Sequence, residues 1–90
     1  MITKKEFTDY MTDMYGEEDY SDLYKSFKTF SKITDNNQIA ELRDLAKMNK
    51  SQRIRYRNAM ASHGKELTPR QLDQYLSTIE YAILHIDENN

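Results

Sequence analysis

The segment Leu67-Thr68-Pro69-Arg70-Gln71-Leu72 marks the start of a helix more firmly than anything else in the chain. Thr68 is an N-cap, Pro69 takes the first helical position where no N–H is needed, and Gln71 completes a capping box. Leu67 and Leu72 supply the hydrophobic staple that sets the entry angle. Beyond this start, Leu72, Tyr75, Leu76, Ile79, Ala82, Ile83 and Ile86 fall within an arc of about 120° when plotted at 100° per residue. A helix with such a stripe must be covered along its length, so the rest of the chain is expected to fold around it. Tyr81 and Leu84 lie outside the arc, at or near the surface, where they can meet a second element or form a dimer contact.

The remaining segments read as shorter helices. Thr3 and Glu6 form a second capping box with Ile2 and Phe7 at its staple positions, and Phe7, Tyr10, Met11, Met14 and Tyr15 follow helical spacing up to Gly16. A helix over about 4–15 follows. Leu23, Tyr24, Phe27, Phe30 and Ile33 give the next stripe, from Ser21 to the polar break at Thr34-Asp35-Asn36-Asn37. Ile39, Leu42, Leu45, Ala46 and Met48 indicate a third helix over about 37–48. Ser51 can cap a fourth over about 52–62, the most polar of the set, with Gly64 as its stop. Two Gly and one Pro in 90 residues are too few for a many-stranded sheet, and 38% hydrophobic content is too much for disorder. The expected fold is all-α, a single domain over 1–90. It is a compact bundle of four to five short helices with the long C-terminal helix central.

Several function classes drop out. Without Cys there is no thiolate nucleophile, disulfide or Cys-based metal site, and secretion as a small stapled scaffold is disfavoured. His63 and His85 stand in no metal-pair spacing, and the chain has neither a Gly-rich loop nor a Walker-type run, so no metal, no cofactor and no catalytic residue is implied. Asp9 and Asp13, four apart, read as a solvated acidic edge rather than a catalytic carboxylate pair. No apolar run reaches the length of a membrane span, and the start lacks a signal-peptide core, so a cytoplasmic protein without membrane contact is expected. Five helices made from so short a chain are also expected to leave little room for a drug-sized cavity of roughly 300 Å³.

The charge of −2 conceals a segregation. Residues 9–22 carry Asp9, Asp13, Glu17, Glu18, Asp19 and Asp22 with no Lys or Arg, whereas 43–70 carry eight Lys or Arg against Asp44 and Glu66. Opposed stretches of this kind create local fields that attract partners of the other sign. Beside these carboxylates, four tyrosines lie from position 10 to position 24, and tyrosine is enriched at interfaces. Asp9, Asp13, Glu17, Glu18, Asp19 and Tyr20 therefore form a candidate patch for a protein or nucleoprotein partner with a basic surface.

The basic stretch offers a different reading. Lys50, Gln52, Arg53, Arg55, Arg57 and Asn58 are residue types that contact phosphates and base edges. Two short helices joined by a few polar residues resemble a helix-turn-helix, although Lys50 and Ser51 stand where that motif usually has Gly and an apolar residue. Arg55 is turned about 200° from Arg53 on a helix, so the three arginines do not share one face. The alternative is that this helix is neutralised by the acidic stretch of its own chain. Small size, lack of Cys and a Lys, Asn, Ile and Tyr-rich composition resemble, in general style, small phage-encoded inhibitors such as anti-CRISPR proteins. That resemblance implies a regulator or inhibitor that works by occupying another macromolecule.

Overall fold

The computed structural model describes residues 2–89, with side chains as far as Ile86. The chain forms α1 (Lys4–Tyr15), α2 (Ser21–Ser31), α3 (Asn36–Ala46), α4 (Lys50–Ser62) and α5 (Pro69–Asn89), with no strand among the described residues. The all-α bundle expected from the sequence is the observed fold, and α5 is its axis, since each of the other four helices packs against it.

The starts of α1 and α5 follow their caps. Thr3 Oγ1 accepts from the Glu6 N–H at 3.1 Å, and Thr68 Oγ1 accepts from the Gln71 N–H at 3.0 Å. The Gln71 side chain closes its box at 2.9 Å. The start of α4 differs from the sequence expectation: Asn49, not Ser51, is the cap. Asn49 Oδ1 accepts from the Gln52 N–H at 2.9 Å, and Gln52 Oε1 accepts from the Asn49 N–H at 2.8 Å. Asn caps as well as Ser, and only Asn49 has a Gln three residues on. Asn49→Ala should therefore cost about 1 kcal/mol of stability in urea titration, while Ser51→Ala, at an exposed position inside α4, should change it by less than about 0.5 kcal/mol. At the end of α1, Gly16 has φ +87°, a backbone conformation that L side chains rarely adopt, and this lets the chain turn away sharply.

Two cores flank α5. The first is aromatic: Phe7 and Met11 of α1, Tyr20, Phe27 of α2 and Ala82 of α5 are all buried, with Tyr24 and Tyr81 packed around them. The second is aliphatic: Leu42 of α3 meets Leu72, Leu76 and Ile79 of α5, with Leu45, Met48 and Tyr56 at its margin. Phe30 touches both. Tyr81 meets second elements within the chain, one of the two expectations for it. Its ring stacks on Tyr10 with centroids 4.1 Å apart and packs near Phe27 at 5.4 Å, so it joins α1 and α2 to α5 within one chain. Leu84 does stand free, at 59% exposure.

α4 is the least integrated helix. It has no buried residue, and Ile54 on it is 41% exposed. α3 and α4 each pack on α5, but their backbones do not approach one another. The helix-turn-helix resemblance thus lacks the helix-on-helix packing that makes such a unit rigid.

Candidate functional site

The structure separates the residues of the acidic stretch into two sets. Glu18, Asp19 and Tyr20 hold the α1–α2 loop. Glu18 Oε2 accepts from Arg70 Nη2 and Gln74 Nε2, each at 2.8 Å, and lies 3.2 Å from the Tyr20 hydroxyl. Arg70 Nη2 also donates to the Tyr15 carbonyl at 2.7 Å, which ties the end of α1 to the first turn of α5. Asp19 accepts from both the N–H and the hydroxyl of Ser21, at 3.0 and 2.6 Å, and so fixes the chain at the entry to α2, whose N-cap position is Tyr20. Tyr20 is 3% exposed, and its hydroxyl proton is shared between the Gly16 carbonyl and Glu18. It belongs to the core and corrects the expectation that it lies on an exposed patch. Burial raises its phenol pKa above the ordinary value.

The hydrogen bond from Arg70 holds the Glu18 carboxyl below the ordinary value of 4.5, and the guanidinium charge adds to the effect. A carboxylate whose pKa is lowered on folding stabilises the fold above its unfolded pKa, and that contribution is lost as pH falls through the folded value. Urea midpoints of wild type and Glu18→Gln should therefore differ at pH 7 and converge as the pH is taken below 4.5 toward 3. A gap that persists at acid pH would mean that Glu18 acts only by packing.

Asp9, Asp13 and Glu17 form the second set. Asp9 pairs with Lys5 at 3.0 Å in an exposed i, i+4 pair, of little energetic consequence. Asp13 and Glu17 are exposed, as is Met14 beside them.

The cations of α4 are not neutralised by the acidic stretch, which meets the basic one through Arg70 of α5 and Glu18. Of the α4 cations, Arg53 meets a carboxylate, but it is Asp73 of α5, at 3.8 Å. Lys50, Arg55 and Arg57 have no ion pair among the described residues, and neither does Lys47 just before α4. Helical phase then sorts these side chains. Arg53 and Arg57 are half-buried and turn toward α5, whereas Arg55 and Asn58 face outward. Gln52 is committed to the capping box.

Arg53 and Arg57 turn into an open groove along α5. Its first section, about 250 Å³, lies between Lys50, Arg53, Ile54 and Arg57 of α4 and Pro69, Leu72 and Asp73 of α5. The middle section, about 190 Å³, shares Arg53 and Asp73 with the first and continues past Ser77 to Glu80, with Tyr15 on the far rim. The last, about 360 Å³, shares Ala46 and Glu80 and ends at Ile83 and Leu84, with Arg43 and Lys47 beside it. A second groove of about 420 Å³ opens between α2, α4 and α5 beside Tyr56, Met60 and Tyr75. Open grooves thus reach the volume that short helices were expected to exclude.

The α5 groove is asymmetric. One wall, built from the end of α3 and from α4, carries Arg43, Lys47, Lys50, Arg53 and Arg57. Its floor is the exposed stripe of α5, where Asp73 and Glu80 alternate with Ser77 and Leu84. Sequence periodicity missed this site because no single segment carries it. The cations come from two helices, and Asp73, Ser77, Glu80 and Leu84 share a face only by their spacing of three to four residues. That spacing was the available signal. Among the described residues no group of three His, Asp or Glu side chains is placed to hold a metal ion. The chain matches no protein-family model, and comparison with curated proteins and with solved structures returns no match.

Proposed function

We propose that the chain is a non-enzymatic interaction protein, a regulator or inhibitor, that holds a negatively charged macromolecular partner against the basic wall of the α5 groove. The observation carrying this reading is that Lys47, Lys50 and Arg57 border an open, partly apolar groove with no carboxylate partner among the described residues. Folding gains nothing from grouping cations in this way, since like charges on neighbouring turns repel. A polyanionic surface relieves that repulsion on binding. The absence of Cys suits a reducing compartment such as the cytoplasm.

A recognition helix inserted into duplex DNA is less well supported. Arg53 and Arg57 point into the groove, which leaves Arg55 and Asn58 on the outer face of α4, and α3 does not brace α4. The acidic face of α1 supports a second reading, contact with a basic partner through Asp13 and Glu17 around the 46% exposed Met14. Paired charge reversals separate the two. Partner capture from the source cell should be lost with Lys50→Glu plus Arg57→Glu and kept with Asp13→Lys plus Glu17→Lys, with circular dichroism unchanged in both. The reverse order assigns binding to α1. Arg53 and Glu18 are unsuitable for this test, because reversing them also breaks the contacts to Asp73 and Arg70.

A further inference from the structure

We infer that the occupant of the α5 groove is an acidic, amphipathic helix of a partner protein and not a nucleic acid; this rests on the groove's being the binding site. Shape is the first argument. From Pro69 to Leu84 the floor follows α5 for about 22 Å at 1.5 Å per residue, the length of a helix of about 15 residues. A helix lying in a groove between helices is a standard mode of peptide recognition. Duplex DNA takes a protruding helix into its own major groove, whereas here the cations line a trough.

Charge placement is the second argument. The cations stand on one wall only, and the floor carries Asp73 and Glu80. A phosphate chain is negative at every step and meets both carboxylates. A peptide helix places its acidic residues along the Lys and Arg wall and uncharged ones over Asp73 and Glu80.

The apolar positions make the third argument. Ile54, 41% exposed, lies in the first section, and Leu84, 59% exposed, closes the last. Apolar anchors in the first and last sections suit a helix with matching apolar residues on one face. Single-stranded nucleic acid uses aromatic platforms on which bases stack. Tyr15 is the aromatic residue in this groove, and its hydroxyl is bonded to Ser77 at 2.7 Å. Tyr56 and Tyr75 line the other groove.

A displayed library of 16-residue helices with randomised surface positions, selected on the wild-type protein, tests the inference beside fluorescence anisotropy with 16-nucleotide single strands and 16-base-pair duplexes. The expected result is enrichment of helices that carry Glu or Asp beside an apolar stripe. Their affinity should fall at least tenfold with Lys50→Glu plus Arg57→Glu and, separately, with Leu84→Ser, while circular dichroism stays unchanged. If DNA binds tighter than any selected helix, and its binding depends on Lys50 and Arg57 but not on Leu84, the helix inference fails and the groove remains the binding site. Selected helices that are acidic but lack an apolar stripe, and ignore Leu84→Ser, likewise overturn the amphipathic helix and leave the groove in place. If no helix and no DNA binds in a way that responds to Lys50→Glu plus Arg57→Glu, both the inference and the groove's role in binding fail.

Discussion

Phe27→Ala is expected to lower stability by about 3 to 5 kcal/mol, enough to bring a domain of this size close to unfolding at room temperature. Phe27 is 2% exposed and sits where three helices meet. Its ring lies 5.2 Å from Phe7 of α1 and 5.4 Å from Tyr81 of α5, and it has Tyr24 at 6.0 Å on its own helix and His85 at 6.1 Å. Truncation removes the transfer free energy of the ring and leaves a cavity whose lining is itself aromatic and poorly able to collapse. Each lost ring pair adds about 0.5 to 1.5 kcal/mol beyond area burial. The midpoint of thermal unfolding should fall by roughly 15 °C or more, at about 4 to 8 °C per kcal/mol for a domain of this length. A loss under about 1.5 kcal/mol in denaturant titration would show that α2 is not anchored through this residue.

The same cluster shows what the sequence could and could not reveal. Phe7, Met11 and Phe27 lay on legible stripes, and their helices form where capping and spacing place them. Tyr81 did not. On α5, Gln74, Thr78, Tyr81 and His85 recur at spacings of three to four residues and make a second face that packs toward α1 and α2. Thr78 is fully buried and Gln74 is 8% exposed. Their polarity hides that burial from hydrophobic periodicity, since Thr78 donates its hydroxyl to the Gln74 carbonyl at 2.8 Å and Gln74 donates to Glu18. A buried polar side chain is tolerated when its hydrogen bonds are made within the fold, and such bonds depend on which loop arrives there. That information is not local to α5.

The candidate site was legible in a similarly partial way. Charge segregation along the chain was plain, but its meaning depended on three-dimensional pairing. Glu18 had the same standing in sequence as Glu17, yet Glu18 reaches Arg70, 52 residues away, while Glu17 stays exposed. Arg57 and Arg55 were likewise equivalent by type. Helical phase alone separates them, and the consequence of that phase depends on which side α5 lies.

A second large effect follows from the phase of α5 itself. Ile79→Ala should cost about 2 to 5 kcal/mol, whereas Leu84→Ala, five residues along the same helix, should stay within about 0.5 kcal/mol of wild type. The two positions differ by about 140° around the axis. Ile79 is fully buried against Leu42 and its neighbours Leu72 and Leu76, so its removal weakens the contact that fixes α3 on α5. Leu84 is 59% exposed and borders the groove beside Lys47. In an aliphatic core the loss at Ile79 scales with the cavity left behind. Equal losses at 79 and 84, measured by urea titration at one pH, would mean that α5 is rotated from the orientation described. The floor of the groove would then be core. Unequal losses in the stated order leave Leu84 as a large apolar side chain that the fold does not need, and that is the property a docking anchor requires.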